Sequence, residues 1–334
     1  MMSIYELPKD MSPDELINLY KRMVLIREFE RRIKKDAGKI KSPLVHTYTG
    51  EEAIAVGACA AINDTDYITS THRGHGHFIA KGGNINSLMA EVYGKEGGIC
   101  KGRGGSMHVA DFSKNMLGAN GIVGAGPPLA LGVALASKMR NEGKVVLTFF
   151  GDGAANQGML HESMNLAAIW QLPIIFVLEN NQYGWSTPVR YATAIEDLSI
   201  RAQGYGMKGI TIDGNDVIKV YKTIKEAVNL ARKGGGPTLI ECKTYRWDGQ
   251  TIIDADKYRS NEEKEEWMRK CPIESYKIKL IKNEVIDRAI IQQIEEETSE
   301  QIESSFKIAK KSSKPDTNTI LDDIFKNPIN QGGT

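Results

Sequence analysis

The amino-acid sequence predicts an α/β chain: a parallel, doubly wound sheet flanked by helices, with a helical C-terminal extension. Three observations carry this expectation. Two apolar runs, residues 145–150 and 173–178, do not alternate apolar with polar positions, which is the pattern of strands buried on both faces. A helical stretch joins them, as a crossover between parallel strands requires. Each run stops in a polar cluster, Gly151-Asp152-Gly153 and Glu179-Asn180-Asn181, and strand–helix alternation continues through residues 210–244.

Composition narrows the class. At 334 residues, 41% hydrophobic and 25% charged, the chain can bury a large core, which excludes disordered and fibrous readings. Its net charge of +1 gives no reason to expect nucleic acid or an anionic membrane as partner. Cys59, Cys100, Cys242 and Cys271 lie far apart and form no CxxC pair, which argues against structural zinc and disulfides. The N-terminal residues lack the apolar core of a signal peptide, and no apolar run approaches the ~20 residues of a membrane span. A cytoplasmic protein is expected.

In chain order, residues 12–35 place Leu16, Leu19, Tyr20, Met23, Val24, Ile26 and Phe29 at helical spacing behind the helix start Ser12-Pro13-Asp14-Glu15. This stripe predicts packing against the main sheet. The word His46-Thr47-Tyr48-Thr49-Gly50-Glu51-Glu52-Ala53 leads into a helix of small apolar residues, 55–62, suited to close packing. Residues 67–71 read as a short strand, and His72-Arg73-Gly74-His75-Gly76-His77 is the polar cluster at its carboxyl end. These histidines lack the acidic or Cys partner of a zinc site, and the interleaved glycines point to tight turns with cofactor and substrate contacts. A helix over 85–93 is followed by a glycine-rich basic connection, 94–107. Its Lys101-Gly102-Arg103-Gly104-Gly105 run does not open from a strand into a helix, so it is not a dinucleotide fingerprint.

Residues 118–126 precede a small-residue helix, 127–138. After the central βαβ unit come a loop at 183–188, a helix around 195–204, and a strand with its turn at 210–216. An amphipathic helix over 217–232 and a strand over 238–244 follow. Residues 245–259 form a long polar loop of the kind that often carries function. Beyond Pro272, apolar positions at helical spacing among Lys and Glu predict a coiled pair of helices continued by 302–309, a polar linker at 310–319 and a flexible tail. The expected division is an α/β domain with an N-terminal helical arm, 1–270, and a helical extension, 271–334.

In an open parallel sheet, ligands bind beyond the carboxyl ends of the strands, so Asp152 and Asn181 are expected to face one crevice. A carboxylate and an amide oxygen, with glycines that admit backbone closely, suit a hard cation carrying a phosphorylated cofactor. The stretch resembles the thiamine diphosphate and magnesium signature, which begins with Gly-Asp-Gly and ends in a paired Asn. His72 to His77, Lys101-Gly102-Arg103-Gly104-Gly105-Ser106-Met107-His108 and Gly118-Ala119-Asn120-Gly121-Ile122-Val123-Gly124 stand around it in order. Together they resemble the alpha subunit of the two-chain 2-oxo acid dehydrogenase decarboxylating component over nearly the whole chain.

The resemblance implies a thiamine-diphosphate-binding fold and specific roles. Mg²⁺ would be held by Asp152, Asn181 and the main-chain oxygen of Tyr183. The cofactor would be held by Arg73 and His72 at the diphosphate, by the backbone of Gly121 and Val123 at the aminopyrimidine, and by Gly153 and Ala154. His75 matches an active-site His that faces substrate. His46 faces the active-site funnel in relatives or is a buried structural residue, and His108 is structural. Two positions depart from the pattern: His72 stands where Tyr is usual, and Gln250 where a His helps hold the diphosphate. Glutamine can donate a hydrogen bond but carries no charge or titrating proton.

The activating glutamate comes from a beta subunit in such enzymes, so an α₂β₂ heterotetramer is expected, inactive as the isolated chain, with the acyl group passed to a lipoyl-bearing acyltransferase. The expected reaction is C–C cleavage of acetoin or a 2-oxo acid, and acetoin, pyruvate and branched-chain substrates stay open. An alternative is a subunit that binds cofactor and stabilises its partner without turnover. A nicotinamide oxidoreductase is disfavoured by the missing glycine fingerprint and ribose-binding acid.

Overall fold

The computed structural model of the chain describes residues 6–40, 44–319 and 322. The C-terminal tail expected to be flexible lies outside the described residues. The chain opens with α1 (Pro13–Lys35), started by a capping box in which Ser12 and Glu15 satisfy each other's backbone N–H groups. Next come α2 (Glu52–Ala60), β1 (Tyr67–Thr69), α3 (His75–Ala80), α4 (Ile85–Val92) and α5 (Gly126–Met139). The central unit is β2 (Val146–Gly151), α6 (Gly158–Ile169) and β3 (Ile174–Asn180). A two-stranded hairpin of β4 (Tyr183–Gly184) and β5 (Thr187–Pro188) runs into the short α7 (Val189–Ala192). The second half of the sheet is β6 (Lys208–Asp213), α8 (Val217–Arg232) and β7 (Thr238–Lys243), before α9 (Asn261–Met268), α10 (Pro272–Lys282) and α11 (Arg288–Lys311).

The expected parallel sheet is present. Its order is β1-β2-β3-β7-β6, and every neighbouring pair is parallel. The absence of alternation in β2 and β3 has a direct cause. Val146 and Phe150 with Ile174, Phe176 and Leu178 point into one core, whereas Leu147, Phe149, Ile175 and Val177 point into the other. Both faces are covered, so both side-chain sets are apolar. On one face α2 lies against α8, close enough that a Cβ on Gly57 would fall 2.7 Å from the Val217 carbonyl oxygen. On the other face lie α5 and α6.

Four expectations are corrected. Helix α1 packs chiefly on α2, α3, α10 and α11 rather than on the sheet, one layer further out. The coiled pair expected at the C-terminal end is instead two helices that each pack on α1, joined by the Lys277–Glu295 ion pair at 3.5 Å. Their apolar residues, Tyr276 and Leu280 on α10 and Ile291, Ile294 and Ile302 on α11, are buried in the main core. The helix around 195–204 is a 3₁₀ stretch, Leu198–Tyr205. The polar cluster after β1 is only partly loop, because α3 begins at His75 and carries His75 and His77 into the core.

Candidate cofactor site

Four adjacent parallel strands deliver their carboxyl ends to one cavity of about 400 Å³. Strand β1 is followed by Ser70, Thr71, His72 and Arg73, β2 by Asp152, Gly153 and Ala154, β3 by Asn181 and Tyr183, and β7 by Arg246 and Gln250, all on the cavity wall. Register explains the convergence: Gly151 of β2 pairs with Glu179 of β3, so Asp152 and Asn181 leave the sheet at the same level. Gly153 and Gly184 press backbone on backbone, and a Cβ on either would meet the other's Cα at 3.3 or 3.2 Å. Only glycine lets the loop after β2 and the β4–β5 hairpin approach this closely.

One end of the cavity is built from two buried guanidinium groups. Arg73 donates to the carbonyl oxygens of Thr47 at 2.8 Å and Gln250 at 2.9 Å, and to Gln250 Oε1 at 3.1 Å. Arg246, buried to 1% exposure, donates to Gln250 Oε1 at 2.5 Å, to the carbonyl oxygens of Trp185 and Asp248 at 3.0 and 3.1 Å, and to Tyr258 Oη at 2.9 Å. Every acceptor is neutral, and among the described residues neither guanidinium forms a salt bridge. Burial, and then the Arg246 charge, lowers the Arg73 pKa to about 10. Two buried cations whose direct hydrogen bonds are all to neutral acceptors, with Glu51 and Asp152 as the nearby opposite charges in the cavity, leave room for an anion between them. His72 Nε2 lies 3.4 Å from Gln250 Nε2, and burial with the Arg73 charge holds His72 well below the usual histidine range.

The opposite wall is acidic. Burial raises the Asp152 carboxyl to about 6. Glu51, 1% exposed, is raised to about 8 by burial and by the charge of Glu179, and it accepts from Asn181 Nδ2 at 3.2 and 3.3 Å. Glu179 is tied to His77 Nε2 at 3.0 Å and to the Tyr48 hydroxyl, and His77 Nδ1 meets Ser70 Oγ at 2.8 Å. Among the described residues no three His, Cys, Asp or Glu side chains form a metal cage. The protein donors available here are all oxygen, and a phosphorylated ligand would complete the shell, which fits a hard cation rather than zinc.

The remaining candidates separate. Gly121 and Val123 line the cavity, Val123 with 45% of its surface exposed, and His108 accepts from the Gly121 N–H at 3.3 Å. His46 also lines it, with Nδ1 2.7 Å from the Gln250 carbonyl oxygen, and burial with the Arg73 charge pushes its pKa down to about 3. His75 does not line the cavity, contrary to the expectation that it faces substrate. It is fully buried, with Nδ1 3.1 Å from Glu30 Oε1 and Nε2 2.9 Å from Ser106 Oγ. Both ring nitrogens are engaged, and the residue stands behind Ser106 as support. Glu51, Glu179, Trp185 and Arg246 are cavity residues that sequence reasoning did not single out. The carboxyl-end rule could have found Arg246, two residues past Thr244, and Glu179, in the polar cluster that ends β3, whereas nothing local marks Glu51 and Trp185 as cavity residues.

A model of the dehydrogenase E1 component family matches residues 20–318. The chain belongs to that family. Curated E1 relatives span it almost end to end. The alpha subunit of acetoin:2,6-dichlorophenolindophenol oxidoreductase from Bacillus subtilis is 46% identical over 94% of this chain and 95% of its own length. The protein of the same name from Cupriavidus necator is 46% identical over 93% and 94%. The pyruvate dehydrogenase E1 component subunit alpha of Rhizobium meliloti is 38% identical over 95% and 91%. Among the described residues no helix of this E1 chain is long and apolar enough to cross a membrane.

Proposed function

We propose that this E1 chain is the alpha subunit of a thiamine-diphosphate- and Mg²⁺-dependent enzyme that cleaves the C–C bond beside a carbonyl, with acetoin as first candidate substrate and pyruvate or a branched-chain 2-oxo acid next. The observation that carries this reading is the single cavity at four strand ends, with Asp152 and Asn181 on one side and the buried Arg73 and Arg246, bonded only to neutral acceptors, on the other. The order of substrates rests on the 46% identity to the two acetoin relatives, against 33–38% for the pyruvate ones.

The chemistry that thiamine diphosphate supplies when bound is a nucleophilic carbon and an electron sink beside the substrate carbonyl. The chain's own work is to bind and orient. Asp152, Asn181 and the Tyr183 carbonyl would hold Mg²⁺. Arg73 and Arg246 would take diphosphate oxygens, with His72 and Gln250 as neutral hydrogen-bonding neighbours and Gly153 and Ala154 admitting backbone contact. The backbone of Gly121 and Val123 would seat the aminopyrimidine. His46, kept neutral, would stand on the substrate side as a hydrogen-bond partner, with His75 bracing it through Ser106, whose Oγ accepts the His46 N–H at 3.2 Å.

The activating carboxylate would come from a beta subunit in an α₂β₂ assembly, and the acyl group would pass to a lipoyl carrier, in the cytoplasm. Steady-state assays of the chain with its beta subunit on acetoin, pyruvate and 3-methyl-2-oxobutanoate test this. Turnover of one substrate by the complex, and none by the isolated chain, is the expected result. Tight cofactor binding without turnover of any of the three would favour a non-catalytic stabilising subunit, and robust activity of the isolated chain would overturn the division of labour.

A further inference from the structure

An amide is chemically two-ended, and which end of Asn181 faces the cavity decides whether it attracts or repels a cation. In this fold the choice is made by Glu51. Its two carboxylate oxygens lie 3.3 and 3.2 Å from Asn181 Nδ2, and among the described residues they are the acceptors of that NH₂ group. The Tyr183 N–H donates to the opposite end, Asn181 Oδ1, at 3.4 Å. The Tyr183 N–H, which can only donate, requires the oxygen on its side, and a Glu51 oxygen accepts from the nitrogen on the other, so both contacts fit one orientation. The contact is sheltered, since Glu51 is 1% and Asn181 7% exposed. Glu51 is itself held at the start of α2, where its N–H donates to the Tyr48 carbonyl oxygen at 3.3 Å.

We infer that Glu51 is a positioning residue for the cation site: by accepting the Asn181 amide N–H it reserves Asn181 Oδ1 for the metal. This rests on the reading of Asn181 as a cation ligand proposed above. The role is a hydrogen-bond acceptor's, so glutamine should serve and alanine should not. A purely electrostatic role for Glu51 would instead make glutamine and alanine equally poor, because both remove the charge.

The test is a calorimetric titration of Mg²⁺ into the complex of this chain with its beta subunit at saturating thiamine diphosphate. Glu51→Ala should weaken Mg²⁺ binding by about tenfold or more, the size seen when a partner behind a metal ligand is removed, and Glu51→Gln should stay within about threefold. Asn181→Ala should weaken it as well, and adding Glu51→Ala to Asn181→Ala should cost nothing further. Glu51→Leu replaces Glu51→Ala in the cycle if the alanine variant fails to assemble, with the melting temperature of each complex as the check on folding. Equal losses for glutamine and alanine, or additive losses in the double variant, would overturn the inference. Absence of any Mg²⁺-dependent cofactor binding by the unaltered complex would instead overturn the functional reading, and the inference with it.

Discussion

Nε2 of Gln250 lies 3.4 Å from Nε2 of His72. The two positions expected from the resemblance to depart from its pattern are thus neighbours, on the same wall as Arg73 and Arg246. Gln250 does something a histidine could not do with one ring nitrogen, because its single side-chain oxygen accepts from both guanidinium groups, at 2.5 and 3.1 Å. We expect His72 to supply a neutral donor toward phosphate beside Gln250, whose oxygen is taken by the two arginines and whose Nε2 lies against His72. His72→Tyr alone should weaken thiamine diphosphate binding to the α/β complex about tenfold, near the ~1.5 kcal/mol of one hydrogen bond to a charged group. His72→Tyr combined with Gln250→His should restore it. Unchanged calorimetric affinity in the single variant would exclude the exchange.

Asp152 predicts a pH dependence whose sign can be worked out. Burial raises it from 3.8 to about 6, so the folded chain holds this proton more tightly than the unfolded chain does. Its contribution to stability is therefore most favourable below the unfolded value and is lost as pH rises toward 6. Asp152→Asn should raise the melting temperature of the cation-free protein at pH 7.5 and leave it nearly unchanged at pH 4, while abolishing Mg²⁺ binding. A lower melting temperature for the variant at pH 7.5 would show that the charge is stabilised there.

Glu91 organises the loop that brings Ser106 and Met107 to the site. Fully buried on α4, it accepts four backbone N–H groups: Cys100 and Gly102 at 2.8 and 2.9 Å on one oxygen, Gly104 and Gly105 at 2.8 Å on the other. Glu91→Gln keeps one oxygen and sets an NH₂ against two donors. A loss of roughly 1–3 kcal/mol in unfolding free energy is expected, on the scale of two partly buried amides left without an acceptor. Hydrogen exchange should accelerate at one of the two amide pairs and not the other. Equal protection at all four amides would contradict this account.

Arg246 predicts the anion chemistry in isolation from catalysis. Inorganic pyrophosphate should bind the cofactor-free chain, competitively with thiamine diphosphate and more weakly as salt rises. Arg246→Gln should reduce that affinity at least tenfold while the fold, followed by circular dichroism, is retained. Pyrophosphate binding that survives the substitution would place the anion elsewhere.

Much of this architecture was legible because period and composition report burial directly. Runs 145–150 and 173–178 announced two-sided strands, and the polar clusters at their ends announced the site, since a parallel sheet presents its ligand edge where its strands stop. The polar cluster after β1, expected as tight turns with cofactor and substrate contacts, is only partly that. His75 and His77 continue into α3, where Glu30 of α1 and Glu179 of β3 satisfy them as buried groups. Similarly, the apolar positions of α10 and α11 were correctly apolar, but they pack on α1 and, for α11, on α4 rather than on each other.

The order of this chain's residues alone carried the parallel sheet and the Asp152 and Asn181 pair, because both follow from patterns within a few dozen residues, and it carried the family through motifs spread over nearly the whole chain. Tertiary structure alone decided that Arg246 and Arg73 share one anion wall, that Gln250 bridges them, and that Glu51 holds the Asn181 amide. Those contacts join residues up to 177 positions apart. Hydrogen bonds between such distant groups depend on strand order and register, which local patterning does not encode.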